Sequence, residues 1–240
     1  MILLRTRALD AVEEMDREDC DPARLDRTYA QFDLVNRAVS GWRGIYRHQL
    51  RPMLSGEKVT TLLDIGCGGG DVPVQLSRWA ARDGLRLEIT AIDPDRRAAA
   101  FAARRSRAGV TFRRQTSADL LAAGEKYDVV VSNHVLHHLA PEVLPGFLAE
   151  SAALSTGVVL HNDLRRSAAA YALFSAGALP FRGSYIRQDG LTSIRRSYTA
   201  EELRAAVPPG WTVLPRFPYR NLLVHHSGGP GRGRSGGAGR

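Results

Sequence analysis

The run Leu62-Leu-Asp-Ile-Gly-Cys-Gly-Gly-Gly-Asp71 decides how this chain reads. Val59–Ile65 is a short apolar segment ending at a glycine, and a helical pattern begins near Val72. This predicts a buried strand turning sharply into a helix. Gly66, Gly68 and Gly70 remove β-carbons where the backbone must bend and where a ligand must approach the main chain. The helix that follows offers free N–H groups and a positive end.

Outward from this bend the same rhythm repeats. Leu85–Ile92 alternates and ends at Asp93, and a helix is expected through Pro94–Arg107. Val110–Arg113 is a third strand, and Asp128–Val131 a fourth, almost wholly apolar as a strand buried on both faces must be. A helix over Glu142–Leu154 precedes a fifth strand, Gly157–Leu160. Upstream, apolar residues from Leu25 through Tyr29, Phe32, Val35 and Val39 recur at helical spacing within a helical stretch from Asp10 to about Leu54. Downstream, Leu164–Leu179 reads as a helix and Pro180–Ser197 as an irregular insertion. Thr199 caps Ala200–Val207 with Glu202 as capping-box partner. Trp211–Arg216 and Arg220–His225 read as a closing strand pair.

Alternating strands and helices of this length make a parallel sheet with right-handed crossovers. The expected fold is α/β: a doubly wound, Rossmann-like, mostly parallel seven-stranded sheet with an antiparallel closing strand and an N-terminal helical lid. The layout is residues 1–55 as the lid segment, 56–226 as the ligand-binding domain with a lid insertion at 164–198, and 227–240 as a disordered Gly/Arg tail. Tyr29, Trp42, Tyr46, Phe181 and Tyr185 are either lid aromatics or ordinary core.

Asp93, at the end of the second strand, is placed to accept both hydroxyls of a ribose. A pyrophosphate site would want a third glycine where Asp71 stands. A carboxylate there repels a pyrophosphate but tolerates a sulfonium and an ammonium, which turns the reading away from nicotinamide cofactors. Asp71 is otherwise a helix-capping residue.

At these residues a family resemblance enters. Asp64-Ile-Gly-Cys-Gly-Gly-Gly70 resembles the Asp/Glu-x-Gly-x-Gly-x-Gly motif of class I S-adenosylmethionine methyltransferases. The resemblance implies S-adenosyl-L-methionine as cofactor and S-adenosyl-L-homocysteine as product. It implies that Asp64, Gly66, Gly68 and Gly70 surround the methionine part and that Asp93 holds the ribose. It further implies that Asp119, with Ala118 beside it, meets the adenine. Asn133, at the end of the fourth strand, is expected to touch cofactor or acceptor. The N-terminal Tyr29–Arg37 segment is similar, more loosely, to the quinone-biosynthesis C-methyltransferases.

Val131-Ser-Asn-His-Val-Leu-His-His-Leu139 leaves the fourth strand at the edge where open parallel sheets bind ligands. Val135-Leu136-His137 resembles the Val-Leu-His of phenolic and polyketide O-methyltransferases, whose histidine is the base, although His138 stands where that family has Asp. A phenol ionises near ~10 and imidazole near ~6.5, so a neutral His can take the proton as the methyl arrives. His137 is the first candidate and His134 the second; packing without chemistry remains the competing reading. A metal site on His134, His137 and His138 is not expected, because no acid nearby in sequence completes the set. His161 and Asp163, at the end of the fifth strand, could orient or deprotonate an acceptor. Arg165 and Arg166 are expected as solvated helix charges.

The net charge of +8 over 240 residues invites a nucleic-acid partner. The positive charge is almost all Arg, part of it lies in the terminal tail, and no RNA-binding module is visible. Two cysteines are too few for a disulfide framework, and the chain start lacks a secretory pattern, so a cytoplasmic setting is expected. The expected function is O-methylation of a small phenolic or hydroxylated aromatic, polyketide- or quinone-like. C-methylation of a quinol and RNA methylation are the alternatives, and no membrane partner is expected.

Overall fold

The computed structural model describes residues 4–105 and 107–227. Residues 228–240, where the sequence places a disordered tail, lie outside the described residues.

In chain order the elements are α1 (Pro22–Val39), α2 (Trp42–Ile45), β1 (Thr60–Ile65), α3 (Asp71–Arg82), β2 (Leu87–Ile92), α4 (Arg96–Ala103), β3 (Val110–Arg113), α5 (Ser117–Ala122), β4 (Tyr127–Asn133), α6 (Leu144–Leu154), β5 (Ser155–Leu164), α7 (Ala168–Gly177), α8 (Ile186–Arg196), α9 (Ala200–Ala206), β6 (Trp211–Arg216) and β7 (Arg220–His226). The seven strands form one sheet in the order β3-β2-β1-β4-β5-β7-β6. β1 to β5 pair in parallel, and β7 runs antiparallel between β5 and β6.

Alternation along the central strands covers both faces. Leu62, Val129, Val131, Val158 and Leu160 point into one core with Trp42, Ile45, Tyr46, Leu50 and Leu76. Leu63, Val130 and Val159 point into the opposite core with Leu120 and Leu154. Period-two side chains with helices on either side leave neither face of the middle strands to water, so the sequence shows continuous apolar runs there. Trp42 and Tyr46 are therefore core beneath the sheet, not lid.

The local caps follow the chain's polar residues. Asp21 accepts from the Arg24 N–H to start α1, and Asp95 accepts from the Arg97 N–H to start α4. Thr199 and Glu202 exchange both bonds of a capping box.

Three expectations change. The first long helix begins only at Pro22, because residues 8–20 are irregular apart from a 3-10 turn at Glu14–Asp16. The segment expected to be irregular after Pro180 contains α8, whose buried residues Ile186, Asp189, Ser193 and Ile194 share one helical face. That face is half polar, so apolar periodicity alone does not reveal it. The fifth strand is ten residues long, extended through His161–Leu164 by pairing with β7.

Candidate active site

The carboxyl ends of β1, β2, β4 and β5 open on a cavity of about 860 Å³. Its floor is the bend Asp64–Gly69, with Asp71 at the start of α3 and Asp93 at the end of β2. Gly66, Gly68 and Gly70 all have positive φ, 71°, 51° and 78°. A Cβ on Gly66 would lie 2.7 Å from Val135 Cγ2, and one on Gly70 would lie 2.6 Å from Phe112. Gly66 and Gly70 are thus required both by backbone conformation and by packing, and Gly68 by conformation alone.

Three acids meet here. Asp64 is 1 % exposed and neither of its oxygens has a hydrogen-bond partner among the described residues. Burial, followed by the nearby Asp71 and Asp93, drives its carboxyl well above the usual range. Asp93 accepts from the Gly68 N–H at 2.9 Å on one oxygen and from the Asp95 N–H at 2.9 Å on the other, so the next strand pins the glycine bend. Each carboxylate oxygen has a second lone pair, which leaves Asp93 capacity for hydroxyl donors from the cavity. Asp71 accepts from Asn36 Nδ2 at 2.8 Å, joining α1 to the bend, and burial raises its carboxyl to about 6. An orphaned, buried carboxylate in a cavity fits a cationic ligand, because a positive group would restore what burial removed. The residues present therefore fit S-adenosylmethionine: Asp64 would hold the charged methionine end and Asp93 the ribose.

Asp119 does not line the cavity. Its carboxylate accepts from the Thr116 N–H and hydroxyl, both at 2.8 Å, in a capping box at the start of α5. Ala118 is exposed as well. The cavity wall on this side is Gln115, Thr116 and Ser117. The sequence pattern placed the right loop at the cavity but the wrong side chains, because the helix N-terminus turns Asp119 back onto its own cap.

The histidine segment follows β4 as a 3-10 turn over Leu136–His138. His137 is 2 % exposed. Its Nδ1 lies 2.7 Å from Asp163 Oδ1, and its Nε2 lies 3.4 Å from Glu13 Oε1. Burial opposes a charge on this ring, but Asp163 and Glu13 outweigh it and raise its pKa to about 10. Glu13 falls to about 2 despite burial, through His137 and His138. The two carboxylates therefore favour the charged form of His137, whose Nε2 lies at ion-pair distance from Glu13 without a hydrogen bond.

His134 differs. It adopts φ 60°, and like His137 it lines the cavity and carries a buried Nε2 with no hydrogen-bond partner among the described residues. Burial lowers its pKa to about 4, so the ring is neutral. Asn133 also lines the cavity, and its Oδ1 accepts from Asn162 at 2.8 Å. His161 lies away from the ligand edge: it pairs with Ser132 Oγ at 2.7 Å between the rings of Phe147 and Trp211.

Glu13 is the residue that sequence reasoning missed. It supplies an acid beside His137 and His138, 3.4 and 3.8 Å away, so the ground given for excluding a metal does not hold as stated. In this structure that acid is spent on the imidazolium. No local pattern could have flagged it, since its contacts are with α8 and the histidine turn, far away in sequence.

One compartment of the cavity, between α1 and α7, is apolar. Leu34, Val35, Ala38 and Val39 of α1 face Leu173 and Phe174 of α7 and Phe181 beyond it, while Tyr29 packs over Gly69. Leu34 and Leu173 remain exposed at the mouth. Arg166, expected in solvent, is 4 % exposed, forms an ion pair with Glu202 and donates to the Ser197 carbonyl at 2.6 Å. Arg7, Arg97, Arg196 and Arg220 likewise donate to backbone carbonyls. These five arginines therefore have structural partners.

Residues 62–156 match the family profile described as a methyltransferase domain. The chain belongs to the class I S-adenosylmethionine-dependent methyltransferases. It is 33% identical over 173 residues to the ubiquinone biosynthesis O-methyltransferase of Methylobacterium sp. (strain 4-46), covering 70% of this chain and 66% of that protein. A protein of the same name from Parvibaculum lavamentivorans is 29% identical over 66% of this chain and 57% of its own length. The chain thus spans about three-fifths of the length of the relatives it matches. Among solved structures, the CurJ carbon methyltransferase superposes with a TM-score of 0.59 at 15% identity, covering 90% of this chain and 63% of that one. The plantazolicin methyltransferase BpumL in complex with SAH gives 0.53 at 16% identity, covering 80% and 79%. These likenesses establish the fold. Among the described residues no helix is long and apolar enough to cross a membrane.

Proposed function

We propose that this chain transfers the methyl group of S-adenosylmethionine to a hydroxyl of a small aromatic acceptor bearing apolar substituents. One observation carries the reading: a single cavity joins the Asp64–Asp93 cofactor floor to an apolar compartment between α1 and α7, with the neutral His134 ring among its lining residues. The names of the relatives support an aromatic, quinone-type acceptor. The sulfonium supplies an already activated methyl, so the protein's task is to hold the acceptor oxygen in line and keep water out. His134 takes the phenolic proton during transfer, and the nearby Asp163 favours the charge that develops on it. His137 stays charged and holds the histidine turn on β5. The strap before α1 together with α1, α7 and α8 then acts as the cover.

The test is two-stage. Calorimetry with S-adenosylhomocysteine should show binding; absence of heat at millimolar ligand rejects the cofactor. Labelled S-adenosylmethionine offered with a panel of catechols, hydroquinones and RNA should then mark the aromatics. A methyl resonance on oxygen supports the reading, and one on ring carbon assigns C-methylation.

A further inference from the structure

Residues 8–20 form a strap that enters no strand pairing and few helical bonds of its own, yet it is held at both ends. On one side α8 holds it: the Ala8 N–H donates to the Arg195 carbonyl, Arg196 donates to the Ala11 carbonyl at 2.9 Å, and Asp189 accepts from the Glu14 and Met15 N–H groups at 2.8 and 3.0 Å. On the other side Arg97 of α4 donates to the Met15 and Arg17 carbonyls at 3.0 and 2.7 Å. Arg97 lies just beyond Asp93, so the strap spans from the ribose end of the cavity to α8. Glu13, Met15 and Asp16 line the cavity between these anchors.

Most strap contacts join a charged side chain of α4 or α8 to a backbone group of the strap. Glu13 is the exception. A glutamate on an irregular surface segment belongs in water, because burying an unpaired carboxylate is very costly. Here it is 3 % exposed and turned inward, accepting from Ser193 Oγ at 2.8 Å and facing His137 Nε2. His137 is itself fixed to β5 through Asp163, so the strap is tied to the sheet through one charge pair.

We propose that Glu13 is a positioning residue: by closing on His137 it latches the strap over the cofactor cavity, and the cofactor product leaves only when the strap lifts. This rests on the methyltransferase reading given above. The charged and titratable groups around the latch are Asp163 from β5, His134 and His138 from the histidine turn, Asp16 from the strap, Asp189 and Arg196 from α8, and Arg7, which donates to the His137 carbonyl. Lifting the strap breaks no strand pairing, so the sheet survives it. It exposes His137 Nε2 and leaves that ring with Asp163 alone.

The test uses the full chain, with Glu13→Gln keeping size and removing charge. Three readouts apply: dissociation of S-adenosylhomocysteine by surface plasmon resonance, exchange of the Glu14 and Met15 amides in the ligand-free chain, and the His137 ring titration by NMR. The expected result is release faster by about tenfold or more, as loss of a buried charge partner implies. Amide exchange accelerates, and the His137 midpoint falls. A merely structural role for Glu13 would also lower that midpoint and loosen the strap, but would leave the release rate of S-adenosylhomocysteine unchanged. Release at the wild-type rate overturns the latch. If wild type itself binds no S-adenosylhomocysteine, the cofactor reading fails separately, and amide exchange alone then decides the latch. If Glu13→Gln does not fold, Ser193→Ala, which removes the other bond to the carboxylate, is measured the same way; a few-fold acceleration supports the latch and unchanged rates overturn it.

Discussion

Asp163 receives His137 twice: the backbone N–H of His137 donates to Oδ2 at 2.8 Å, and its ring Nδ1–H to Oδ1 at 2.7 Å. One carboxylate thereby sets both the path of the chain after β4 and the charge of the ring it carries.

Asp163→Asn leaves that imidazolium short of a partner in a buried setting. A loss of about 3–5 kcal/mol in unfolding free energy is expected, measured by urea denaturation. The pH dependence has a definite sign. His137 is raised to about 10 in the fold, so its stabilisation is complete below its ordinary pKa near ~6.5 and is lost as pH rises toward 10. Asp163 is lowered, so its share is present above ~3.9 and is lost in acid. Wild type should therefore lose stability toward alkaline pH more steeply than the variant.

His134→Gln keeps shape and polarity at the cavity but removes the basic nitrogen. Turnover with a phenolic acceptor should fall about 10²–10⁴-fold while S-adenosylhomocysteine affinity stays within a few-fold. Single-turnover methyl transfer together with calorimetry separates the two. Loss of affinity equal to the loss of rate would make His134 a binding residue only.

Asp93→Asn weakens the bond to the glycine bend and, on the proposed reading, the bond to the ribose as well. Charged hydrogen bonds of this kind contribute about 1.5–3 kcal/mol each, so S-adenosylhomocysteine affinity should drop at least tenfold in calorimetry. Gly66→Ala should do at least as much damage, through its positive φ and the contact with Val135.

Asp64 links cofactor binding to protons. Its carboxyl is raised by burial and by two neighbouring acids, and a cationic ligand reverses that shift. Cofactor binding should therefore release a proton, and affinity should rise with pH. Calorimetry in buffers of different ionisation enthalpy reads this directly. In the ligand-free chain the same raised pKa works the other way, removing stability as pH increases, and Asp64→Asn should flatten that loss. Equal apparent heats in all buffers would show that Asp64 is already ionised.

The cofactor floor was legible because its requirements are local. A left-handed bend needs glycine whatever surrounds it, and the strand before it needs an apolar run, so Ile65–Asp71 carries its own signature. Asp93 was legible for the same reason, as the residue that ends the neighbouring strand. Asp119 misled because two local demands, cavity lining and helix capping, fall on one side chain, and capping took it. Residues 180–197 misled because their buried face is paired by polar groups such as Asp189 and Ser193, which mimic surface residues in a sequence.

What the sequence determined by itself is the α/β alternation, the glycine bend and the acids flanking it, all set by interactions within a few residues or between adjacent strands. Only the tertiary structure decided the protonation of the histidines. His134 and His137 stand three residues apart with the same intrinsic chemistry, yet one is neutral and the other charged. The difference comes from Asp163 on β5 and Glu13 on the strap, which reach His137 across folded space. Electrostatic energy depends on distance and burial, and neither is written in the order of the residues.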